Sequence, residues 1–358
     1  MHAWNRDRQG LKSSKRELTV LQSLDAPDGT TKYVVQISEG MPDDIELKYF
    51  SWRAALIEKY DVFHVHWPEF LMRARSRPRK TAKTLLFVLL TLRLTIRRTP
   101  VVRTLHNLHP HETGGRIEST LLSWLDRRVT DYIRLNPMTV APTGRRCTTI
   151  LHGHYKDWFT ATGETSRIDG RILNFGLIRP YKGVEELLDL VKNEGDPEWL
   201  LRIVGKPIDE RMRERILEKT GQSTKISLKL QFVSDEELVD EILQCELVVL
   251  PYRSFHNSGV ALLSLSMGRP ILVPGNDVSN ALRDEVGDEW VHTFEGTVKV
   301  SDIRESLYSS RRPSAQRPPE LSGRDWATVG LSHREVYRTA LCPPMPDTCP
   351  SGPHRGAR

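Results

Sequence analysis

Residues 248–274, VVLPYRSFHNSGVALLSLSMGRPILVP, set an apolar run, a polar loop, an apolar helix-length segment and a second apolar run in succession. The first run ends at Pro251, Gly268 and Pro270 stop the long segment, and Ile271-Leu272-Val273 closes the unit. Strand, loop, helix and strand in that order make the βαβ unit of a parallel sheet. Both runs are continuously apolar, as strands buried on two faces are. Asn257 and Ser258 stand where they can cap the helix. The same helix start offers free N–H groups and the positive end of a dipole, which suits a phosphate.

Working outward, residues 171–175, 200–204 and 228–232 read as strands, and 184–192, 209–220 and 235–243 as helices. Upstream, residues 17–24, 61–67 and 100–105 read as strands, and 31–38 as a further alternating strand. Residues 45–52 followed by 54–59 read as strand then helix, and 80–98 and 117–131 as helices. A Thr-, Gly- and Ser-containing stretch near 160–170 separates two α/β series and reads as a linker. The expected fold class is α/β, with two Rossmann-like doubly wound domains, 16–160 and 170–308, facing a central cleft. Ligand would sit in that cleft, at the carboxyl ends of the strands. A last helix is expected within 323–341, and a disordered Pro- and Gly-rich tail over 342–358.

The 358 residues are 38% hydrophobic and 27% charged, which is ordinary for a globular chain able to bury two cores. Neither the apolar core of a signal peptide nor an uncharged segment of membrane-spanning length is found. The four cysteines have no metal-ligand spacing, which suits a reduced cytoplasmic setting. Charge is unevenly spread. From Leu71 to His111 there are ten Lys and Arg residues and no acid, more than the whole net charge of +6, so the remainder of the chain is acidic. Most of these cations flank the apolar body of the 80–98 helix. Such a helix lies on an anionic membrane surface, or serves as a core helix with a basic edge. The segment lacks the interleaved aromatic residues of a nucleic-acid-binding surface, so no nucleic-acid partner is expected.

Six segments resemble the GT-B glycosyltransferases, family 4-like enzymes that use nucleotide-sugars. They are FSW (50–52), HVHWPE (64–69), TLHNLHPHE (104–112), ILHGHY (150–155), FGLIRPYKG (175–183) and PYRSFHNSGVALLSLSMGRP (251–270). The nearest subgroup is similar to bacterial mannosyltransferases that act on glycolipid or exopolysaccharide acceptors. The resemblance implies a GT-B fold and transfer of a hexose, with mannose and hence GDP-mannose as a candidate, to a lipid-linked or polysaccharide-precursor acceptor. It implies no cofactor beyond the nucleotide-sugar donor and no catalytic metal. It also implies a final helix crossing back onto the first domain, while the basic helix over 80–98 suggests peripheral attachment to the inner face of the cell membrane. A GT-B epimerase or hydrolase working without a lipid acceptor stays open as an alternative.

Transfer from a nucleotide-sugar needs the departing diphosphate stabilised by cations and N–H groups. The resemblance assigns Arg179 and Lys182, with Asn257, Ser258 and Gly259, to the donor. Arg grips phosphate with two donors, whereas Lys supplies a point charge. His106 is the expected catalytic residue and Glu112 an alternative base, with Glu69 and His152 lining the acceptor side of the cleft. His64 and His66, on an apolar strand, read as satisfied structural histidines. Many relatives carry two glutamates around the helix start. Here Phe255 or His256 and Leu263 or Ser264 stand near those positions.

Overall fold

A computed structural model describes residues 18–27, 32–106, 114–159, 165–193, 199–312 and 317–342. The first two residues of the expected first domain and nearly all of the expected tail lie outside them. The described chain builds two six-stranded sheets, parallel throughout. The first contains β1 (Leu18–Gln22), β2 (Ile45–Lys48), β3 (Val62–Val65), β4 (Val101–Leu105), β5 (Val129–Arg134) and β6 (Arg146–Thr149), ordered β2-β1-β3-β4-β5-β6. The second contains β7 (Arg171–Phe175), β8 (Leu200–Val204), β9 (Ile226–Lys229), β10 (Leu247–Val249), β11 (Ile271–Pro274) and β12 (Val291–Phe294), ordered β12-β11-β10-β7-β8-β9. Strand order reverses between β1 and β3 in one sheet and between β7 and β10 in the other. In doubly wound sheets ligands bind outside the carboxyl ends of strands at such points.

The sheets are covered by α1 (Lys32–Glu39), α2 (Trp52–Leu56), α3 (Arg77–Ile96) and α4 (Arg116–Asp126) in the first half. The second half supplies α5 (Val184–Asn193), α6 (Glu210–Thr220), α7 (Asp235–Leu243), α8 (Gly259–Ser266), α9 (Asp277–Val286) and α10 (Val300–Ser310). The twofold period of a strand sorts the first sheet's residues. Leu21, Phe63, Val65 and Val101 face α3, whereas Val20, Val62 and Val102 face α1 and the final helix, α11 (Trp326–Ala340). Continuing that second face to the carboxyl ends of the strands brings up Gln22, His64, His66, Thr104 and His106. An apolar column therefore ends in a polar cap.

Helix α11 packs on α1, β4 and β5. Two glycines allow the approach: a Cβ on Gly330 would stand 1.9 Å from the Gly40 carbonyl oxygen, and one on Gly40 would stand 2.3 Å from that of Trp326. The Trp326 indole donates to the His154 carbonyl at 2.7 Å.

Helix α3 is apolar on two opposite sides. Phe87, Leu90 and Leu94 are buried against the sheet, while Leu85, Leu89, Leu92 and Ile96 stay 61, 51, 41 and 78% exposed. Exposed Arg75, Arg77, Arg79 and Lys80 lie at or just before its start, and Arg97 and Arg98 just past its end.

Three expectations about elements are corrected. The described residues of the strand expected over 31–38 do not form one. The described part is helix α1, because Tyr33, Val34 and Ile37 share one buried face and packing overrides the β-propensity of valine and isoleucine. The helix expected to reach residue 131 stops at Asp126, and Val129–Arg134 is β5, whose alternation starts behind Arg127-Arg128. The strand expected over 228–232 is Ile226–Lys229, which leaves Phe232 beyond it and 81% exposed.

Candidate active site

In the second sheet, the loops after β7 and β10 flank the switch point. The first turns through a 3₁₀ segment, Pro180–Lys182, and ends at Gly183 with φ +66°. A Cβ there would be strained and would meet the Pro251 carbonyl oxygen at 2.0 Å, so glycine lets the two loops touch. This fold-back buries Lys182, whose Nζ lies 5.4 Å from the Tyr252 ring centroid. Burial, and then the Arg179 charge, push the Lys182 ammonium down to about 8. Arg179 keeps a buried Nε without a hydrogen-bond partner. Among the described residues neither cation has a carboxylate partner. Two like charges held together without a counter-ion make a place that an anion stabilises.

Helix α8 starts beside them. A Cβ on Gly176 would touch both Lys182 Nζ and Val260 Cγ2 at 3.4 Å. Ser258 is its N-cap, its Oγ accepting from the Ala261 N–H at 3.2 Å. Gly259 opens the helix close to the Tyr155 hydroxyl. Asn257 is used differently from the expectation. Its Oδ1 accepts from Asn136 Nδ2 at 2.7 Å, and its Nδ2 donates to the His106 carbonyl at 2.8 Å. The side chain thus spans the cleft, and in this structure its amide is engaged at both ends by residues just beyond the strands of the first sheet. The neighbouring His256 also reaches across, to Thr139 Oγ1 at 3.3 Å.

Across the cleft, His106 directly follows β4 and stacks on Trp67, with ring centroids 4.0 Å apart. Its Nε2 lies 2.9 Å from His66 Nδ1. His66 Nε2 lies 2.7 Å from Gln22 Oε1, and Gln22 Nε2 donates to the Tyr337 hydroxyl at 3.1 Å. That hydroxyl lies 2.8 Å from His64 Nδ1, and His64 Nε2 lies 2.8 Å from Thr104 Oγ1. Burial holds His64, His66 and His106 well below the usual imidazole range, so each is neutral at pH 7. His64 and His66 are satisfied in these bonds.

His152 donates from Nδ1 to the Gly153 carbonyl at 2.8 Å and sits against Tyr33 and Trp326. Burial brings it down to about 4. It lines an apolar cavity of about 200 Å³ with Asn136, Asn257, Ser258 and Arg324. Glu69 lies buried in the 3₁₀ turn Pro68–Leu71, and its carboxylate takes no hydrogen bond or ion pair among the described residues. Glu112, together with His109 and His111, lies outside the described residues. Among the described residues no group of three His, Cys, Asp or Glu side chains is arranged to hold a metal ion. Sequence reasoning missed Gln22, Thr104, Asn136 and Tyr337. The twofold period that puts Gln22, His64, His66 and Thr104 on one face was the available signal for most of them.

Comparison with known proteins matches residues 167–273 to the model for glycosyl transferases group 1. The chain is also 44% identical over 326 residues to the GDP-mannose:glycolipid 4-beta-D-mannosyltransferase of Xanthomonas campestris pv. campestris, covering 90% of this chain and 93% of that protein. This chain belongs to the group 1 glycosyltransferases. Solved structures support the GT-B fold. Anabaena HepE with UDP and glucose superposes with a TM-score of 0.56 at 12% identity, over 91% of this chain and 97% of HepE. The catalytic domain of Arabidopsis starch synthase IV does so with a TM-score of 0.60 at 10% identity, over 92% and 100% of the two chains.

In this glycosyltransferase no glutamate stands at the start of α8. Phe255 and Leu263 are buried in the core, and Ser264 is turned inward to the Val260 carbonyl. The Arg179–Lys182 pair gives a direct prediction. Lys182→Ala should weaken nucleoside-diphosphate binding by about 1.5–3 kcal/mol, the worth of a hydrogen bond to a charged group, as read by calorimetry at pH 7. In the wild type, affinity should hold below pH 8 and fall as the ammonium deprotonates above it. Unchanged affinity in Lys182→Ala removes the residue from the donor site.

Proposed function

We propose that this glycosyltransferase moves mannose from GDP-mannose to a hydroxyl of a glycolipid, residues 170–308 holding the donor and residues 16–160 the acceptor. What carries the choice of donor and acceptor is the 44% identity to a GDP-mannose:glycolipid 4-beta-D-mannosyltransferase along 93% of that protein. Arg179 and Lys182 at the β7/β10 switch point, without a carboxylate partner among the described residues, fit a diphosphate, which the N-terminus of α8 approaches from the other side. His106, across the cleft and neutral, fits the acceptor hydroxyl. A β-mannoside formed from the α-linked sugar of GDP-mannose requires inversion at the anomeric carbon, hence a single displacement that needs a base. A thermal-shift comparison tests the donor: GDP-mannose at 100 times its Kd should raise stability by about 2.7 kcal/mol, and UDP-glucose and ADP-glucose far less. An equal response to all three would contradict the choice of GDP-mannose.

The acceptor's lipid would be met at the membrane surface by α3, peripherally and from the cytoplasmic side. Among the described residues no helix is long and apolar enough to cross a bilayer. Exposed leucines between two groups of cations suit insertion among anionic headgroups, and they speak against a surface tracking nucleic-acid phosphates. Paired substitution of Leu85 and Leu89 by Asp should lower binding to vesicles containing anionic lipid by tenfold or more, since burial of each leucine contributes about 1.5–3 kcal/mol. Co-sedimentation measures it, and wild-type binding by the double variant would rule out this face.

A further inference from the structure

The bonds at the ends of β1, β3 and β4 form one directed chain. Gln22 Nε2 donates to Tyr337, so Gln22 Oε1 is the acceptor facing His66 Nε2. His66 therefore carries its proton on Nε2, and its Nδ1 is a bare acceptor. The nitrogen facing that acceptor is His106 Nε2, at 2.9 Å, and it must be the one that bears hydrogen. A neutral imidazole has one proton, so His106 Nδ1 is left with its lone pair. No described residue bonds to it. On the other branch, Tyr337 uses its own proton toward His64 Nδ1, and His64 Nε2 donates to Thr104. Each member from His66 to His64 donates once and accepts once, and His106 donates once with its Nδ1 open.

We propose that Gln22 and His66 are positioning residues that hold His106 as its Nε2–H tautomer and present Nδ1 as an acceptor for the hydroxyl that attacks the sugar. This rests on the proposed placement of the acceptor at His106. Turning the Gln22 amide over would reverse every donor in the chain and point an N–H at the substrate, so one amide in β1 sets whether His106 accepts or donates. The rings against His106, those of Tyr33, His66 and Trp67, restrict its rotation. Its own carbonyl is fixed by Asn257 from the donor side. In the transfer step the acceptor O–H bond breaks and Nδ1–H forms. The freed oxygen pair bonds to the anomeric carbon while the bond from that carbon to the diphosphate breaks, its electron pair leaving on the phosphate oxygen. His106 ends as imidazolium, its Nε2–H still on His66, and returns the proton to water after the product leaves.

Two-bond ¹H–¹⁵N correlation spectra of histidine-labelled protein at neutral pH test this, with signals assigned from His106→Asn and His66→Gln. His66 and His106 should both show the Nε2–H tautomer. His66→Leu removes the acceptor and should lower kcat by about 10²-fold, the scale of losing a positioned base, with KM for GDP-mannose unchanged. His66→Gln keeps a carbonyl for the same bond and should recover most of the rate. An Nδ1–H or doubly protonated His106 overturns the proposal, as do equal rates in the Leu and Gln variants. If His66→Leu does not fold, the wild-type spectrum and the His66→Gln rate still decide. Full activity in His106→Asn would instead remove His106 from the reaction and leave the tautomer measurement standing, so the two failures are distinguishable.

Discussion

Replacing His106 by Ala should lower the rate of mannosyl transfer by about 10²–10⁴-fold, the range for a positioned acid or base, while donor affinity changes little. The asymmetry follows from geometry. His106 follows β4 of the first sheet and stands across the cleft from Arg179 and Lys182, whose charges hold the diphosphate under the proposed assignment. Among the described residues its hydrogen bond to the donor half is through its backbone carbonyl, which accepts from Asn257 and survives the substitution. Burial makes His106 a weak base in the free enzyme. Two phosphate charges arriving opposite it favour the imidazolium and raise its basicity when the donor is bound. Single-turnover rates with calorimetry on the same variant separate the two effects. A normal rate would remove His106 from the reaction, and a parallel loss of donor affinity would place it on the donor instead.

The second large effect concerns the helix that closes the first domain. Gly330→Ala should destabilise the protein by about 3 kcal/mol, the upper range for overpacking a tight contact, because the new Cβ would stand 1.9 Å from the Gly40 carbonyl. Backbone cannot yield there as a side-chain tip would. Relief requires α11 to move off α1, and α11 carries Tyr337, which bonds both His64 and Gln22. Urea unfolding should therefore show a lower midpoint, and transfer activity should fall even where the chain remains folded. A change below about 0.5 kcal/mol, the level of an ordinary surface substitution, would mean that α11 does not approach α1 this closely.

The parallel sheets were legible where strands are continuously apolar, as at Val248–Leu250 and Ile271–Val273, because no helix of that length hides between a proline and a glycine-ended segment. Legibility failed where propensity and packing disagree. Tyr33, Val34 and Ile37 are good strand formers, yet they form one face of α1 under α11. Arg179 and Lys182 could be proposed for a phosphate because the resemblance places such a pair in the loop after β7, just before Gly183, and the structure brings the two cations together there. The use of Asn257 could not, since it depends on how the two sheets face each other. The histidine relay lay between these cases. His64 and His66 visibly share a strand face, but the tyrosine that completes the chain is 315 positions away from Gln22. No local pattern connects them. The missing glutamates around α8 were visible from the start, and the structure adds that Phe255, Leu263 and Ser264 are buried there.

The most direct measurement supplies GDP-mannose labelled in the sugar to the purified protein with and without a bacterial glycolipid extract, and follows label into organic-extractable lipid alongside release of GDP. The proposed function predicts that label and GDP appear together, in equal amounts, only when the extract is present, and that the new mannoside is β-linked. GDP released at the same rate without acceptor, or no label in lipid at any donor concentration, would contradict it.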